Sequence, residues 1–419
     1  MNAVDHFIPT EYRTLIAALR CAFNNRPECG KLSDTDPRVL FRQACEQGVD
    51  TYLYPWLASQ KCFREARSDD ITAPFEIWRQ AFLANLVKND TVRRFLQTTL
   101  ARLAKAGLDV ILLKGVWLGA TIYEHPEQRR MCDIDLLVRK ESLDAVHREL
   151  IAAGFAAGTD TLHNRFAYDR GYRHPSLPLP LELHWHVASE MVSSLPVPDI
   201  AAVWQKAVDS TWHNVPVKAL TPADQLAHQA QHTLHHFFAA PLRVYLDIAL
   251  LLRKYGDELS PEKLSEASAR WRTGHALPFM LNMTVGLLDI TLPRQLAEYC
   301  GDVLPAEAET AVTALFNLPT ARDRASESTL LDFREASVVG KLLLILRRVF
   351  MPRQFMVLHY PCARTRLGLP LAWFKRAIDL FQHKRSMFIG TTGKTPSARR
   401  RYEFSRQRQQ LARALMSRQ

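Results

Sequence analysis

The stretch LDVILLKGVWLGATIYEHPEQRRMCDIDLLV, residues 108–138, decides the fold class of this chain. It begins with a short apolar run, residues 108–113, that is typical of a buried strand. Val116–Tyr123 then has the spacing of a short helix, and a polar loop leads to a second predicted strand, Cys132–Val138. A further helix is predicted at Glu141–Ala153. The order strand, helix, strand, helix indicates a compact α/β unit.

The regions on either side of this unit are predicted to be helical. Up to about Lys105, apolar residues recur at three- and four-residue spacing, and Gly107 is a typical residue to end the last of these helices. Thr221 followed by Pro222 favours a new helix start, and the chain to about Phe381 is again mostly helical. The predicted fold class is therefore α+β, with a small mixed-sheet, α/β-like core flanked by N- and C-terminal helical regions.

A later strand with one polar face is predicted at Leu181–Val187, whose sequence is LELHWHV. Its period of two places Glu182, His184 and His186 on one face and apolar side chains on the other. This strand therefore contributes a carboxylate and imidazoles to the candidate functional residues.

Composition and charge narrow the class of protein. The apolar share is 47% and the charged share 23%, which is typical of a globular chain with a sizeable core. Lys and Arg exceed Asp and Glu by 54 to 43, but residues 384–419 hold ten basic residues and one acid, so the rest is nearly balanced. Nucleic acid is therefore not expected to bind the core, although the basic tail could touch RNA or a protein. This tail is expected to be loosely ordered or to form a helix from about Arg399.

Targeting and redox signals favour a cytoplasmic protein. The seven cysteines are scattered without a C-x-x-C pair, the N-terminus lacks the pattern of a secretory leader, and no apolar window is long enough to cross a bilayer. The segment Lys341–Met351 is compatible with an interfacial amphipathic stretch, and so with peripheral membrane contact, or with a buried helix capped by arginines.

Asp133 and Asp135 are the strongest candidates for chemistry. On a strand, residues i and i+2 point to the same face, and carboxylates so close together repel unless a cation or a proton lies between them. Mg²⁺ binds proteins through a few carboxylates together with phosphate oxygens. Glu182, on another strand, could complete such a cluster. The alternative is that the two aspartates are solvated on a half-exposed strand.

The turn between the first strand and its helix is a candidate for anion binding. At Lys114 and Gly115, backbone N–H groups and the positive end of a helix can meet an anion, and glycine allows a close approach. Arg129, four residues before Asp133, could neutralise phosphate charge through a bidentate contact. The alternatives are that Gly115 only makes the turn and that both cations are solvated.

Taken together, these motifs resemble a known family. The L-K-G turn, the short helix, the R-x-M-x-D-I-D-L-L-V run and the later E-L-H are similar to a bacterial nucleotidyltransferase family of the DNA polymerase beta-like nucleotidyltransferase superfamily, over about residues 95–255. The resemblance implies an enzyme that uses two Mg²⁺ ions to transfer a nucleoside monophosphate from a nucleoside triphosphate to a small-molecule or protein acceptor.

The resemblance also assigns roles to residues. Asp133, Asp135 and Glu182 match its catalytic and metal-binding acids. The residues that it assigns to nucleotide binding are Lys114, Gly115 and Arg129. The turn departs from the superfamily, because the usual Gly-Gly or Gly-Ser, whose serine contacts phosphate, is Lys114-Gly115 here. A catalytically inactive module that binds a nucleotide or a partner on the same fold is therefore the alternative function.

Histidines form a second candidate cluster. His184 on the strand, with His228 and His232 on the helix after Thr221, is expected to line an acceptor pocket. His228 and His232 stand at i and i+4 and could instead bind zinc with a carboxylate, although the glutamate of an H-E-x-x-H motif is absent.

Four regions are predicted along the chain. They are a helical N-terminal region (1–105), the nucleotidyltransferase core (106–215), a helical C-terminal domain (216–383) and the basic tail (384–419).

Overall fold

The computed structural model describes residues 4–27, 35–61, 74–158, 168–188 and 195–318 and, with short gaps, 346–417. The chain divides into two compact units. The first comprises residues 1–158, 168–318 and 412–419, and the second comprises residues 159–167 and 319–411. The four-part organisation expected from the sequence stays a prediction.

Helices precede the sheet, as the apolar spacing predicts. In the described residues they are α1 (Arg13–Phe23), α2 (Pro37–Glu46), α3 (Asp50–Ser59) and α4 (Pro74–Lys105). Asp36 caps α2 by accepting a hydrogen bond from the Arg38 N–H, with proline in the first turn. Gly107 has a φ of +70°, which only glycine adopts without strain, and it follows the end of α4 as expected.

The described residues contain one mixed sheet of seven strands. The strands are β1 (Ile111–Leu112), β2 (Ile134–Leu137), β3 (Ala156–Ala157), β4 (Asp169–Arg173), β5 (Leu181–His184), β6 (Val208–Trp212) and β7 (Val215–Ala219). Their spatial order is β3-β4-β5-β2-β1-β7-β6. Strand β2 is parallel to β5 and antiparallel to β1, while β1 is parallel to β7. The predicted α+β fold class is confirmed.

Helices lie between the strands and after them. The two that separate the early strands are α5 (Lys114–Thr121) and α6 (Leu143–Ala152). The later helices of the described residues are α7 (Ile200–Lys206), α8 (Pro222–His235), α9 (Leu242–Tyr255), α10 (Pro261–Trp271), α11 (Ala276–Leu288), α12 (Arg294–Cys300), α13 (Pro305–Phe316), α14 (Gly368–Thr391) and α15 (Pro396–Ser417). Thr221 caps α8, since its side chain accepts a hydrogen bond from the Asp224 N–H as the sequence predicts.

Several predicted bounds are wrong by a few residues. The first strand is much shorter than the apolar run 108–113, and α5 begins two residues before Val116. The strand predicted to reach Val187 ends at His184, because the His186 ring accepts hydrogen bonds from the next two backbone N–H groups and turns the chain. His186 therefore does not continue the polar face of β5.

The second unit has a small apolar core of its own. It centres on the buried side chains of Met356, Ala363 and Ala372. Residues 396–417 form a helix, which is one of the two alternatives expected for the tail. The segment Lys341–Met351 lies mostly outside the described residues.

Two further expectations concern the environment of the chain. Among the described cysteines all five are free, which agrees with the absence of a disulfide framework. No helix in the described ranges combines the length and the apolarity that crossing a membrane requires.

Candidate active site

The candidate site lies on one face of the sheet, where β2 and β5 run side by side. Asp135 is in register with Glu182, and His184 follows Glu182 two residues later on β5. Because alternate residues of a strand share a face, these three side chains project to the same side. Their ligand atoms all lie within 4.8 Å of one another. Within the part of the chain that the structure describes, no other group of three such side chains could hold a metal ion.

Asp135 is a buried carboxylate with one oxygen paired and one open. Oδ1 accepts hydrogen bonds from Lys114 Nζ at 3.0 Å and from His184 Nε2 at 2.9 Å. Oδ2 is buried and has no hydrogen-bond partner. Burial alone would raise the pKa of Asp135, but Lys114 and His184 outweigh it and hold the pKa well below its usual range. Oδ2 is therefore an ionised oxygen whose lone pairs are available to a cation.

His184 bridges the two carboxylates in register. Its Nε2 lies 2.9 Å from Asp135 Oδ1 and 3.5 Å from Glu182 Oε2. Burial lowers the pKa of His184, but the hydrogen bonds to Asp135 and Glu182 outweigh burial and raise it to about 9. The imidazole is therefore cationic at neutral pH and orients both acids.

Asp133 stands directly before β2 and belongs to the same electrostatic cluster. Burial raises its pKa, and the negative charge of Asp135 raises it further, while the Lys114 ammonium opposes them. Asp133 is not one of the three groups within 4.8 Å of each other. The two acids of the D-I-D motif therefore lie in different electrostatic environments. The charge of Asp135 is balanced by Lys114 and His184, whereas the charge of Asp133 would be stabilised by a proton or a cation.

Lys114 and Gly115 form a constrained turn beside these acids. Lys114 has a φ of +46°, a left-handed conformation that is strained for a residue with a side chain. Burial would lower the pKa of Lys114, but Asp135 and Asp133 raise it. A Cβ on Gly115 would lie 2.7 Å from Arg129 Nη1, closer than side-chain carbons approach other atoms. A side chain at position 115 would therefore require the turn or the guanidinium to move.

Arg129 is placed behind the turn, in a buried ion pair. Its Nε and Nη2 donate to the two carboxylate oxygens of Asp247 at 3.0 and 2.7 Å, and the Tyr123 hydroxyl donates to the same carboxylate at 2.7 Å. Burial would lower the pKa of Arg129, but Asp247 raises it above its usual range. The bidentate contact expected for Arg129 exists, and its partner in this structure is a carboxylate of the chain.

The structure brings the face of α8 that carries His228 and His232 near Lys114. Burial, and then the Lys114 charge, lower the pKa of His228 to about 3 and that of His232 well below its usual value. The His228 ring packs against the Trp271 ring at a centroid distance of 4.9 Å. Both imidazoles are therefore neutral near pH 7. Neither belongs to a metal-binding group among the described residues, so the zinc alternative gains no support.

Sequence reasoning missed two neighbours of the site, one at the start of β4 and one directly before it. Asp169 is the register partner of His184, and Tyr168 stacks its ring over that of His184 at 6.3 Å. Burial raises the pKa of Asp169, while His184 opposes it. The polar sequence of β4, DRGYR, carries no apolar alternation, so nothing in the pattern could have placed Asp169 beside the acids.

A mixed sheet that carries acids on two adjacent parallel strands, with a strand–turn–helix beside them and helices around it, is an α+β nucleotidyltransferase core. The chain belongs to the family described as an uncharacterised nucleotidyltransferase, whose model matches residues 33–289. The family resemblance expected from the sequence is confirmed at this level, while the superfamily placement stays a prediction. No curated protein matches the chain. Family membership supports a general role in nucleotidyl transfer and a nucleoside triphosphate as substrate.

Proposed function

We propose that the protein is a Mg²⁺-dependent nucleotidyltransferase that transfers a nucleoside monophosphate from a nucleoside triphosphate to a small-molecule or protein acceptor. The observation that carries this proposal is the buried, ionised and unpartnered Oδ2 of Asp135, a residue that lies in register with Glu182 and pairs through Oδ1 with Lys114 of the turn. Buried polar side-chain atoms are usually hydrogen-bonded, so an ionised oxygen left open beside two further acids calls for an explanation, and a bound cation supplies one.

The donor set fits a hard divalent cation. Mg²⁺ prefers carboxylate oxygens, and Asp133, Asp135 and Glu182 supply them. His184 is hydrogen-bonded to two of these acids, so its role is to orient them, as partners of metal ligands commonly do. We assign Asp133, Asp135 and Glu182 as the residues that would hold two Mg²⁺ ions. When bound, Mg²⁺ supplies charge neutralisation for the phosphates and for the acids themselves.

The turn is assigned to the triphosphate. The N–H groups at the start of α5 are free of intrahelical partners, and the absence of a side chain at Gly115 allows a phosphate to approach them closely. The Lys114 ammonium, held by Asp135, adds positive charge at the same point. Arg129 is assigned a supporting role, because its guanidinium is paired with Asp247 and packs behind Gly115.

The reaction follows from this arrangement. A hydroxyl or amine of the acceptor attacks the α-phosphorus in line, the bond from that phosphorus to the bridging oxygen breaks, and pyrophosphate leaves. Glu182 is assigned to accept the proton of the acceptor, because its side chain is 36% exposed whereas that of Asp135 is fully buried. His228 and His232, both neutral, are assigned to the acceptor side, where imidazoles can donate or accept hydrogen bonds.

The test is a calorimetric titration of each of the four common nucleoside triphosphates into the protein, with and without Mg²⁺. We expect Mg²⁺-dependent binding that is lost in Asp133→Asn and retained in Asp209→Asn, which removes an exposed carboxylate from β6. Failure of every triphosphate to bind the folded wild type would overturn the proposal. Unchanged binding to Asp133→Asn would overturn the assigned site.

Turnover is tested separately. With α-labelled triphosphate, label transfer and pyrophosphate release in the presence of an acceptor would support the enzyme. Mg²⁺-dependent binding without transfer to any acceptor would favour the inactive binding module, for which the Lys-Gly turn and its pairing with Asp135 are the structural argument.

A further inference from the structure

Two cations from different helices converge on the chain directly before Asp133. Lys88 of α4 donates from Nζ to the Met131 carbonyl at 2.9 Å. Arg243 of α9 donates from Nη1 to the Arg130 carbonyl at 2.8 Å. Both side chains therefore end at the same short stretch of backbone, at the edge of the acid cluster.

These two cations lack the acidic partners that the other cations of the site possess. Arg130, whose carbonyl Arg243 contacts, pairs with the buried carboxylate of Asp50 at 2.9 Å. Lys114 pairs with Asp135, and Arg129 with Asp247, as described above. Among the described residues no carboxylate lies within ion-pair distance of Lys88 or Arg243.

Their charge is costly without a counter-ion. Burial lowers the pKa of Lys88, and the neighbouring charge of Arg130 lowers it further. Nε of Arg243 is buried and has no hydrogen-bond partner. A role confined to holding the loop would need only the two carbonyl contacts and would leave this buried donor unexplained.

Arg243 and Lys88 also lie close to the acid cluster along the chain, since the carbonyls that they contact belong to Arg130 and Met131, three and two residues before Asp133. A ligand held at Asp133 would therefore lie close to both cations. A nucleoside triphosphate carries far more negative charge than Lys114, already paired with Asp135, can offset, and Lys and Arg side chains recognise phosphate oxygens well.

We propose that Lys88 and Arg243 form a subsite for the terminal phosphates of the nucleoside triphosphate. This inference rests on the proposed function and deepens it, because it names the residues that distinguish a triphosphate from a monophosphate. The same chemistry would suit a phosphate or carboxylate on the acceptor, and the experiment separates these two sources.

The experiment measures Kd by calorimetry for ATP, AMP and inorganic triphosphate, with and without Mg²⁺. The variants are Lys88→Met, Arg243→Met and Arg243→Lys, each first checked for a native circular dichroism spectrum and cooperative unfolding. Arg253→Met is the matched control, because Arg253 lies on the same helix α9 and also donates to a backbone carbonyl, that of Phe23.

We expect Kd for ATP and for inorganic triphosphate to rise about tenfold to a hundredfold in each Met variant, as for the loss of a hydrogen bond to a charged group. Arg243→Lys keeps the charge and should lose less. AMP should bind every variant within about threefold of wild type, and Arg253→Met should match wild type for all three probes.

If both Met variants bind ATP and inorganic triphosphate with the same Kd as wild type does, the proposed subsite is wrong. If those affinities hold and KM for an acceptor rises instead, the anion belongs to the acceptor and the proposal is also overturned. A subsite that behaves as expected while Asp133→Asn leaves Mg²⁺-dependent binding intact would refute the proposed acid site and leave the anion subsite standing.

Discussion

Arg129 and Asp247 form a bidentate ion pair, with N–O distances of 3.0 and 2.7 Å. Both side chains are buried, with exposed fractions of 5% and 0%. The pair joins the loop before Asp133 to helix α9, which lies 118 residues further along the chain. The same guanidinium occupies the space that a side chain at Gly115 would need. This one contact therefore links the turn to α9.

Replacing Asp247 with asparagine should destabilise the protein strongly. The variant leaves Arg129 buried without its counter-charge, which costs about 3–5 kcal/mol of unfolding free energy. Tyr123→Phe removes only the hydroxyl donor and should cost about 1 kcal/mol. Urea unfolding measures both. A loss below 1 kcal/mol for Asp247→Asn would show that the pair contributes little.

Gly115→Ala should impair nucleotide binding. The new methyl group would lie 2.7 Å from Arg129 Nη1 and 3.1 Å from Met131 Cγ, so the turn or the guanidinium must move. Gly119→Ala is the matched control, because Gly119 lies on the same helix and its added methyl group would meet its nearest neighbour, Arg129 Cβ, at an ordinary 3.6 Å. We expect triphosphate affinity to fall at least tenfold in the first variant and to stay within about threefold in the second. Equal affinities in calorimetry would contradict this account of the turn.

The two aspartates of the D-I-D motif should differ in their effect on metal-free stability. Asp133→Asn removes a charge that burial and Asp135 already disfavour, so the unfolding free energy in EDTA should stay level or rise. Asp135→Asn leaves Lys114 and His184 without their shared carboxylate and should cost about 3–5 kcal/mol. Urea unfolding in EDTA measures the free energy of unfolding of both variants. Equal losses in the two variants would contradict the different roles assigned to the two aspartates.

Glu182→Gln should lower the catalytic rate more than the affinity. Loss of a group that accepts a proton in the transition state costs about a hundredfold or more in kcat, while triphosphate Kd should change less than about threefold. Glu149→Gln, which removes a half-buried acid paired with Arg102 away from the site, serves as the control. An unchanged kcat with a weakened Kd would assign Glu182 to binding instead of proton transfer.

Acid should destabilise the protein through the histidines of α8. An unfolded histidine protonates with a pKa near 6.5, whereas burial lowers the pKa of folded His228 to about 3 and that of His235 to about 4. The unfolded state therefore binds more protons below pH 6.5, and the unfolding free energy falls as the pH drops toward 4. At pH 5 each histidine should account for about 2 kcal/mol of the loss.

Urea unfolding at pH 7.5 and pH 5.0 checks this dependence. We expect His228→Gln to lose less stability between the two pH values than wild type does. His6→Gln, on the surface, should keep the wild-type difference. If the unfolding free energy changes by the same amount between pH 7.5 and pH 5.0 in all three proteins, protonation of His228 does not contribute to the acid destabilisation.

The parts of the fold that the sequence predicts are those with strong local patterns. The apolar run before Lys114 and the alternation around Glu182 predict strands β1 and β5, and Thr221 predicts the start of α8. Strands β4 and β6 were not predicted, because their sequences are polar and lack apolar alternation, so that pairing with the neighbouring strands β5 and β7 decides their structure.

Some residues of the candidate site can also be predicted from local sequence patterns, and others cannot. The acids Asp135 and Glu182 are carried by a local motif and by a strand period, and the structure places them in register as expected. Asp247, Asp169 and Lys88 could not be found, because each reaches the site only through tertiary packing. Arg129 shows the opposite case: its motif is local, but a distant carboxylate decides what its guanidinium contacts.

The parallel pairing of β1 with β7 has a consequence for folding. Ile111 pairs with Lys218, so the strand that ends at the Lys-Gly turn gains its second neighbour only after a long stretch of intervening chain has been made. Closing so long a loop is entropically costly, and contacts of high sequence separation slow folding. During synthesis on the ribosome, the turn at Lys114 is therefore completed late, after the β6–β7 hairpin has emerged.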